Sequence, residues 1–346
     1  MKAVAKTKPE VGIEIIDIPE PKIKPHEALV QIEYCGICGT DVGFYEWRES
    51  ERFRRGKPIP LPAIIGHEPA GVVVEVGAEV KNVKPGDRVA SDSWGGCCHC
   101  YWCRLGHFNQ CLYPQNLGSL THGAMAKYCA IPFIDLYKVP DSMSFEEAAM
   151  LQPLGVGVRG AESLVYFKPG DDVVVMGCGP VGMLVALVMQ AAGAGKLIIT
   201  GLGIDAKRLE MARQLGFTTI NADEEPVRDV VLEMTGGLGA DVVFDATSKG
   251  NPGQGLSLVK VVGQLAIAAS VEGSPELDWK CFRKGEIIIN TFHGRNPSTW
   301  KRSISLVGSG RVNVKPLITH KVKIEDAEKG FQMLIKREGM KVLIEP

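Results

Sequence analysis

The sequence predicts an α/β chain of two parts, a small β-barrel lobe and a doubly wound parallel sheet covered by helices. Three observations lead there. Its 346 residues exceed what one hydrophobic core usually organises. The first third reads as short β segments separated by turn residues, the texture of a small barrel. From about Asp171 the chain changes to buried strand, glycine turn and helix in alternation, a pattern that favours a parallel sheet with helices on both faces.

Barrel strands are expected at 28–33 (ALVQIE), 70–76 (AGVVVEV) and 87–90 (DRVA), the last behind a Lys84-Pro-Gly-Asp turn. In the second part, strands are expected at 173–176, 196–200, 241–245, 264–268 and 286–290, with helices at 181–192 and 206–215. Two more helices are expected, at 300–309 and 324–336. With no repeat and no long linker, the tail is expected to pack back on the first part. The division is then 1–154 with 294–346 for the barrel, holding a cysteine lobe at about 92–112, and 155–293 for the sheet.

Composition narrows the function. Hydrophobic residues at 45%, charged residues at 23% and a mean hydropathy of +0.05 describe a globular chain rather than a disordered or fibrous one. The 39 basic and 40 acidic side chains nearly cancel, so no broad field points to nucleic acid or an anionic membrane. The apolar stretch 173–200 is interrupted by Gly177, Gly179, Pro180, Gly182, Gly193 and Gly195, which suits strand, turn and helix better than a membrane span. The first residues lack the apolar core and cleavage site of a signal peptide, so a cytoplasmic protein is expected. Ten cysteines are then read as metal ligands or reactive groups rather than disulfides.

Gly177-Cys-Gly179-Pro180-Val181-Gly182 follows an apolar strand and opens an apolar helix. The first glycine permits the tight turn, the second lets backbone approach a pyrophosphate, and the third lets helix pack on strand. A dinucleotide is therefore expected at this turn. The end of the next strand should carry an acid for the ribose hydroxyls of NAD, yet Gly201 stands there and Asp205, Lys207 and Arg208 come after it. Asp205 suits a hydroxyl and Arg208 a 2′-phosphate, so NAD is the first choice and NADP stays open.

Cys97, Cys100, Cys103 and Cys111 form Cys-x2-Cys-x2-Cys-x7-Cys, with Cys98 an additional thiol. Four soft ligands so close suit tetrahedral zinc in a closed structural site; an iron–sulfur cluster uses similar ligands, but zinc is the better choice beside a nucleotide domain. A second group comprises Gly36-Ile-Cys38-Gly-Thr40-Asp41 and Gly66-His67-Glu68. Alone, a cysteine or histidine is more often a satisfied core residue than a ligand.

Taken together, these motifs make the chain resemble, over essentially its full length, the zinc-dependent medium-chain alcohol dehydrogenases, closest in texture to the polyol (sorbitol) and threonine dehydrogenase branch. The resemblance implies a GroES-like barrel lobe beside a Rossmann domain, with the active site in the cleft between them. It implies two zinc ions per chain. Cys38 and His67 would hold the catalytic zinc, with Glu68 a ligand or close neighbour and Thr40 the start of a proton relay. Two departures stand out. Gln152 occupies the place of a usual glutamate, giving a weaker, neutral donor, and Val42-Gly43 follow the Thr-Asp pair where threonine dehydrogenases soon place a histidine. Tyr45, Trp47, Phe292, His293 and Arg295 fall in segments the resemblance places near the substrate, a mix suited to a polyol.

The reading is hydride transfer between a secondary alcohol, a polyol or sugar alcohol, and a nicotinamide. The alternatives are an NADP-preferring aldose dehydrogenase, favoured by Gln152 and the missing strand-end acid, a threonine dehydrogenase, and a non-catalytic zinc and nucleotide-binding relative. Family resemblance further implies a homo-oligomer, a tetramer or dimer.

Overall fold

The computed structural model describes residues 1–48, 53–54, 57–269, 271 and 273–346. The chain divides into two compact units, one comprising Met1–Gln152, Arg295–Gly310 and Val314–Pro346, the other Pro153–Gly294 and Arg311–Asn313.

The first unit is built on a seven-stranded sheet. Its order is Leu136–Lys138, Arg88–Ser91, Glu68–Val76, Glu27–Gly36, Lys341–Glu345 and Ile318–Lys323, and Tyr128–Pro132 also pairs with Glu27–Gly36. Glu27–Gly36 pairs with three strands, Glu68–Val76, Lys341–Glu345 and Tyr128–Pro132, and its Val30 and Ile32 join Val73, Val89, Ile131, Phe331 and Val342 in the core. The tail supplies Lys341–Glu345, which runs antiparallel to Glu27–Gly36 with Leu343 opposite Gly36. On the other side of that strand, Gly36 lies opposite Glu68. A side chain at Gly36 would overlap the Glu68 carboxylate, so only glycine leaves that group its place.

The second unit is a six-stranded, wholly parallel sheet. Its order is Thr218–Asn221, Leu197–Gly201, Val173–Met176, Ala240–Asp245, Val259–Ile267 and Ile288–Thr291. The first strand in the chain thus lies between the second and the fourth, and the reversal creates the crevice at the carboxyl ends where open sheets of this kind bind ligands. Val173–Met176 is fully buried, which is why it reads as an unbroken apolar run. The helix expected at 181–192 is Pro180–Ala191. The strand expected from Glu286 starts instead at Ile288, because Glu286 adopts φ 49° and closes a helix, Trp279–Gly285, that the sequence pattern does not anticipate. The edge strand Thr218–Asn221 and the helix Val227–Met234 are likewise absent from the expected elements.

Candidate functional site

Cys38 follows the end of Glu27–Gly36 and caps the helix Gly39–Tyr45. The cap is held by Asp41, whose Oδ2 accepts a hydrogen bond from the Cys38 backbone N–H at 2.8 Å. Its other oxygen accepts from the Gly66 N–H at 3.2 Å and lies 3.4 Å from His67 Nδ1. One fully buried carboxylate therefore fastens the Cys38 turn to the His67 turn. Glu68 begins the neighbouring strand. The ligand atoms of Cys38, His67 and Glu68 all lie within 4.8 Å of one another. Burial disfavours a charged His67, but Asp41 and the Cys38 thiol outweigh it and hold the imidazole well above its ordinary value.

Behind Glu68 sits Lys341, 2% exposed, paired with Oε2 and donating to the Ile37 carbonyl at 3.1 Å. Burial alone would lower this ammonium; the Glu68 carboxylate reverses the direction and raises it. Glu68 Oε1 is buried without a hydrogen-bond partner. A cysteine sulfur, an imidazole and an unsatisfied carboxylate oxygen within 4.8 Å of one another form a donor set suited to zinc, so the residues fit that ion.

The remaining predicted residues divide. Thr40 is half-buried in the helix Gly39–Tyr45. Gln152 is 5% exposed, and its Nε2 donates to Ser93 Oγ at 3.0 Å. Tyr45, expected near the substrate, is instead stacked on Phe331 at 5.5 Å, with its hydroxyl donating to Glu328 at 2.5 Å and accepting from Gln332 at 2.8 Å, so it belongs to a helix–helix contact. The Trp47 ring lies 5.3 Å from the Lys6 ammonium. Arg295 is 3% exposed, with Nε and Nη2 donating to Asp92 Oδ1 at 3.1 and 2.8 Å and Nη2 to Ser93 Oγ at 3.2 Å. In the second unit, Phe292 packs against Gly160, whereas His293 is exposed just beyond the carboxyl end of Ile288–Thr291.

The glycine turn has the expected physical logic. Gly177 has φ 98°, Gly179 caps Pro180–Ala191, and a side chain at Gly179 would enter open space. A methyl at Gly182 would overlap the Gly177 carbonyl, so this glycine lets the helix seat on the strand. Val181 sits in the first turn of that helix. At the next strand end, a Cβ on Gly201 would lie 2.6 Å from Cys178 Sγ, which explains why no acid stands there. Acids flank the position instead: Asp205 pairs with Arg208 at 3.5 Å, and Asp223, to which no sequence motif points, accepts from the Gly203 N–H at 2.7 Å.

The sulfur atoms of Cys97, Cys100, Cys103 and Cys111 also lie within 4.8 Å of one another. Backbone N–H groups point at them: Cys97 N to Cys111 Sγ at 3.3 Å, Cys100 N to Cys97 Sγ at 3.3 Å and Tyr113 N to Cys111 Sγ at 3.2 Å. The Leu112 and Cys103 backbone groups draw the Cys100 thiol down to about 6, whereas burial pushes the neighbouring Cys103 and Cys111 thiols up. Cys98 turns outward and is exposed, outside the four-sulfur group.

A parallel sheet with a glycine turn at its reversal point, together with a cysteine–histidine–glutamate group on a barrel-like unit, defines a nicotinamide-dependent, zinc-binding oxidoreductase. Residues 24–141 match the alcohol dehydrogenase GroES-like domain and residues 180–309 the zinc-binding dehydrogenase domain. The chain is 35% identical over 350 residues to the L-threonine 3-dehydrogenase of Shewanella sp. (strain ANA-3), covering 99% of both chains. Among solved structures it resembles the 2R,3R-butanediol dehydrogenase from Bacillus subtilis, with a TM-score of 0.89, 29% identity, and 100% and 99% of the two chains covered. It also resembles an alcohol dehydrogenase from Thermus sp. ATN1, with a TM-score of 0.90, 27% identity and the same coverage. The chain belongs to the zinc-dependent medium-chain alcohol dehydrogenase family and is an NAD(P)-dependent alcohol oxidoreductase. Among the described residues no helix is long and apolar enough to cross a membrane.

Proposed function

We propose that this dehydrogenase acts on a small secondary alcohol with a neighbouring hydroxyl, a polyol or sugar alcohol, at the group formed by Cys38, His67 and Glu68. The observation that carries the reading is the convergence of three chemically matched donor atoms within 4.8 Å, backed by Asp41 and Lys341. When bound, zinc supplies Lewis acidity to the alcohol oxygen and the nicotinamide accepts the hydride. The chain does the rest. Cys38, His67 and Glu68 hold the ion, Gln152 supplies a fourth, neutral donor through its amide oxygen, and Asp41 fixes the imidazole. Thr40 passes the alcohol proton outward. The four cysteines of the lobe hold a second, structural zinc, making two per chain. Gly177, Gly179 and Gly182 admit the pyrophosphate. Asp205 and Asp223 beside the strand end favour ribose hydroxyls over a 2′-phosphate, hence NAD, with the Asp205 carboxylate already matched to Arg208. His293, Phe292 and Trp47 remain substrate-side candidates. The protein is read as cytoplasmic and as a dimer or tetramer.

Threonine is the second reading, favoured by the 35% identical relative. Against it, buried Val42 and Gly43 supply no imidazole after the Thr40-Asp41 pair. Initial rates with NAD and NADP across polyols, 2,3-butanediol, aldoses and L-threonine test the proposal: a kcat/KM for a polyol or vicinal diol at least tenfold above that for threonine supports it, and the reverse order overturns it.

A further inference from the structure

Arg295 and Ser93 are not metal ligands, yet with Asp92 they form a buried, closely hydrogen-bonded polar cluster that reaches Gln152. Asp92 accepts from Arg295 Nε and Nη2, from Trp300 Nε1 at 2.8 Å, and from the Ser93 backbone N–H at 2.7 Å. Guanidinium and indole can only donate, so Asp92 is the acceptor that locks both in place. Asp92, Ser93, Gln152, Arg295 and Trp300 are each at most 5% exposed. Buried networks of this kind hold their members in one geometry. Ser93 Oγ joins the network to Gln152, receiving Arg295 Nη2 at 3.2 Å and Gln152 Nε2 at 3.0 Å.

The same stretch borders the metal-ligating turn. Leu117 N–H donates to the Ser93 carbonyl at 3.2 Å. The next residue, Gly118, lies so close to Gly66 that a Cβ on it would be 2.7 Å from the Gly66 carbonyl, and Gly66 immediately precedes His67. Ser93 is thus one short loop removed from the His67 turn.

We propose that Ser93, clamped by the buried Asp92–Arg295 ion pair, is a positioning residue that takes the amide nitrogen of Gln152 and thereby turns its amide oxygen toward the ion held by Cys38, His67 and Glu68. The inference rests on the reading of Gln152 as fourth donor. Its chemical basis is the asymmetry of a carboxamide. Only the oxygen can ligate a cation, and a half-turn would aim two N–H dipoles at the ion instead. A carboxylate at the same position would present oxygen in either orientation and need no clamp. Arg295 acts through Ser93, and Ser93 through Gln152.

The test is a mutant cycle read as the rate at which the zinc-loaded protein yields zinc to a chromogenic chelator, alongside the visible spectrum of the cobalt-substituted protein. With Gln152 present, Ser93→Ala should release the more labile zinc about tenfold faster, within the range for lost outer-shell partners, and shift the cobalt bands. Ser93→Thr, which keeps a hydroxyl, should behave as the parent. In a Gln152→Glu background, Ser93→Ala should change release by no more than about twofold, because the carboxylate has no wrong face. Arg295→Lys, which keeps a charge beside Asp92 but loses the fork reaching Ser93, should repeat the split between backgrounds and serves if Ser93→Ala folds poorly. Equal acceleration in both backgrounds, or none in either, overturns the positioning role. The fourth-donor reading is tested separately: Gln152→Ala leaving release and spectrum unchanged rejects it and the proposal together, whereas a fast Gln152→Ala with an unaltered Ser93→Ala rejects the role of Ser93 alone.

Discussion

Asp41 shows how much of a metal site can rest on a residue that binds no metal. Its two oxygens serve the Cys38 N–H, the Gly66 N–H and His67 Nδ1. Asp41→Ala should therefore weaken zinc retention at this group by about 10- to 100-fold, measured by competition with a chelator, while the four-cysteine site keeps its ion. Asp135 gives a second prediction at this scale. Burial, and after it the Asp92 charge, raise its carboxyl well above its ordinary 3.8, although Arg295 pulls the other way. A raised folded-state value means that its contribution to stability is complete below the unfolded value and is lost as pH climbs toward the folded one. Asp135→Asn, neutral throughout, should then melt higher than the parent at pH 8, by on the order of 1 kcal/mol, with the gap closing toward pH 4. A gap that widens on acidification would contradict this. Ligands were legible in the sequence because thiols and imidazole at motif spacing have few other uses. Asp92, Ser93 and Lys341 were not legible, since a lone Asp, Ser or Lys carries no signal until strand pairing brings it to its partner.

Among the elements, the glycine turn was the most readable and also makes the sharpest demand. A methyl on Gly182 would strike the Gly177 carbonyl, which is backbone and cannot swing away. Gly182→Ala should therefore cost on the order of 1–3 kcal/mol in melting and weaken nicotinamide binding in a fluorescence titration, whereas Gly179→Ala, facing open space, should leave melting nearly unchanged. Strands buried on both faces announced themselves as apolar runs, as Val173–Met176 does. Thr218–Asn221 escaped notice because it is a four-residue edge strand with only Ile220 and Asn221 buried, too short and too polar for periodicity to register. Trp279–Gly285 escaped for a related reason: its first three residues are exposed, so no apolar stripe marks it.

At the scale of the whole molecule, chain order conceals the metal group, which draws on the Cys38 turn, the His67 turn and, for Lys341, a strand almost at the end of the chain. The family and reaction class follow from motifs that survive that dispersal. Substrate choice does not, because residues singled out by position along the chain can carry structural contacts as well, Tyr45 stacking on Phe331 and Arg295 pairing with buried Asp92. The most direct test of the catalytic metal group is to count zinc and assay NAD-dependent oxidation of a vicinal diol in the parent protein and in Cys38→Ser. About two zinc ions per chain in the parent, falling to one with loss of turnover in the variant while melting barely moves, is the predicted result. A Cys38→Ser protein that keeps both ions and its turnover would contradict it.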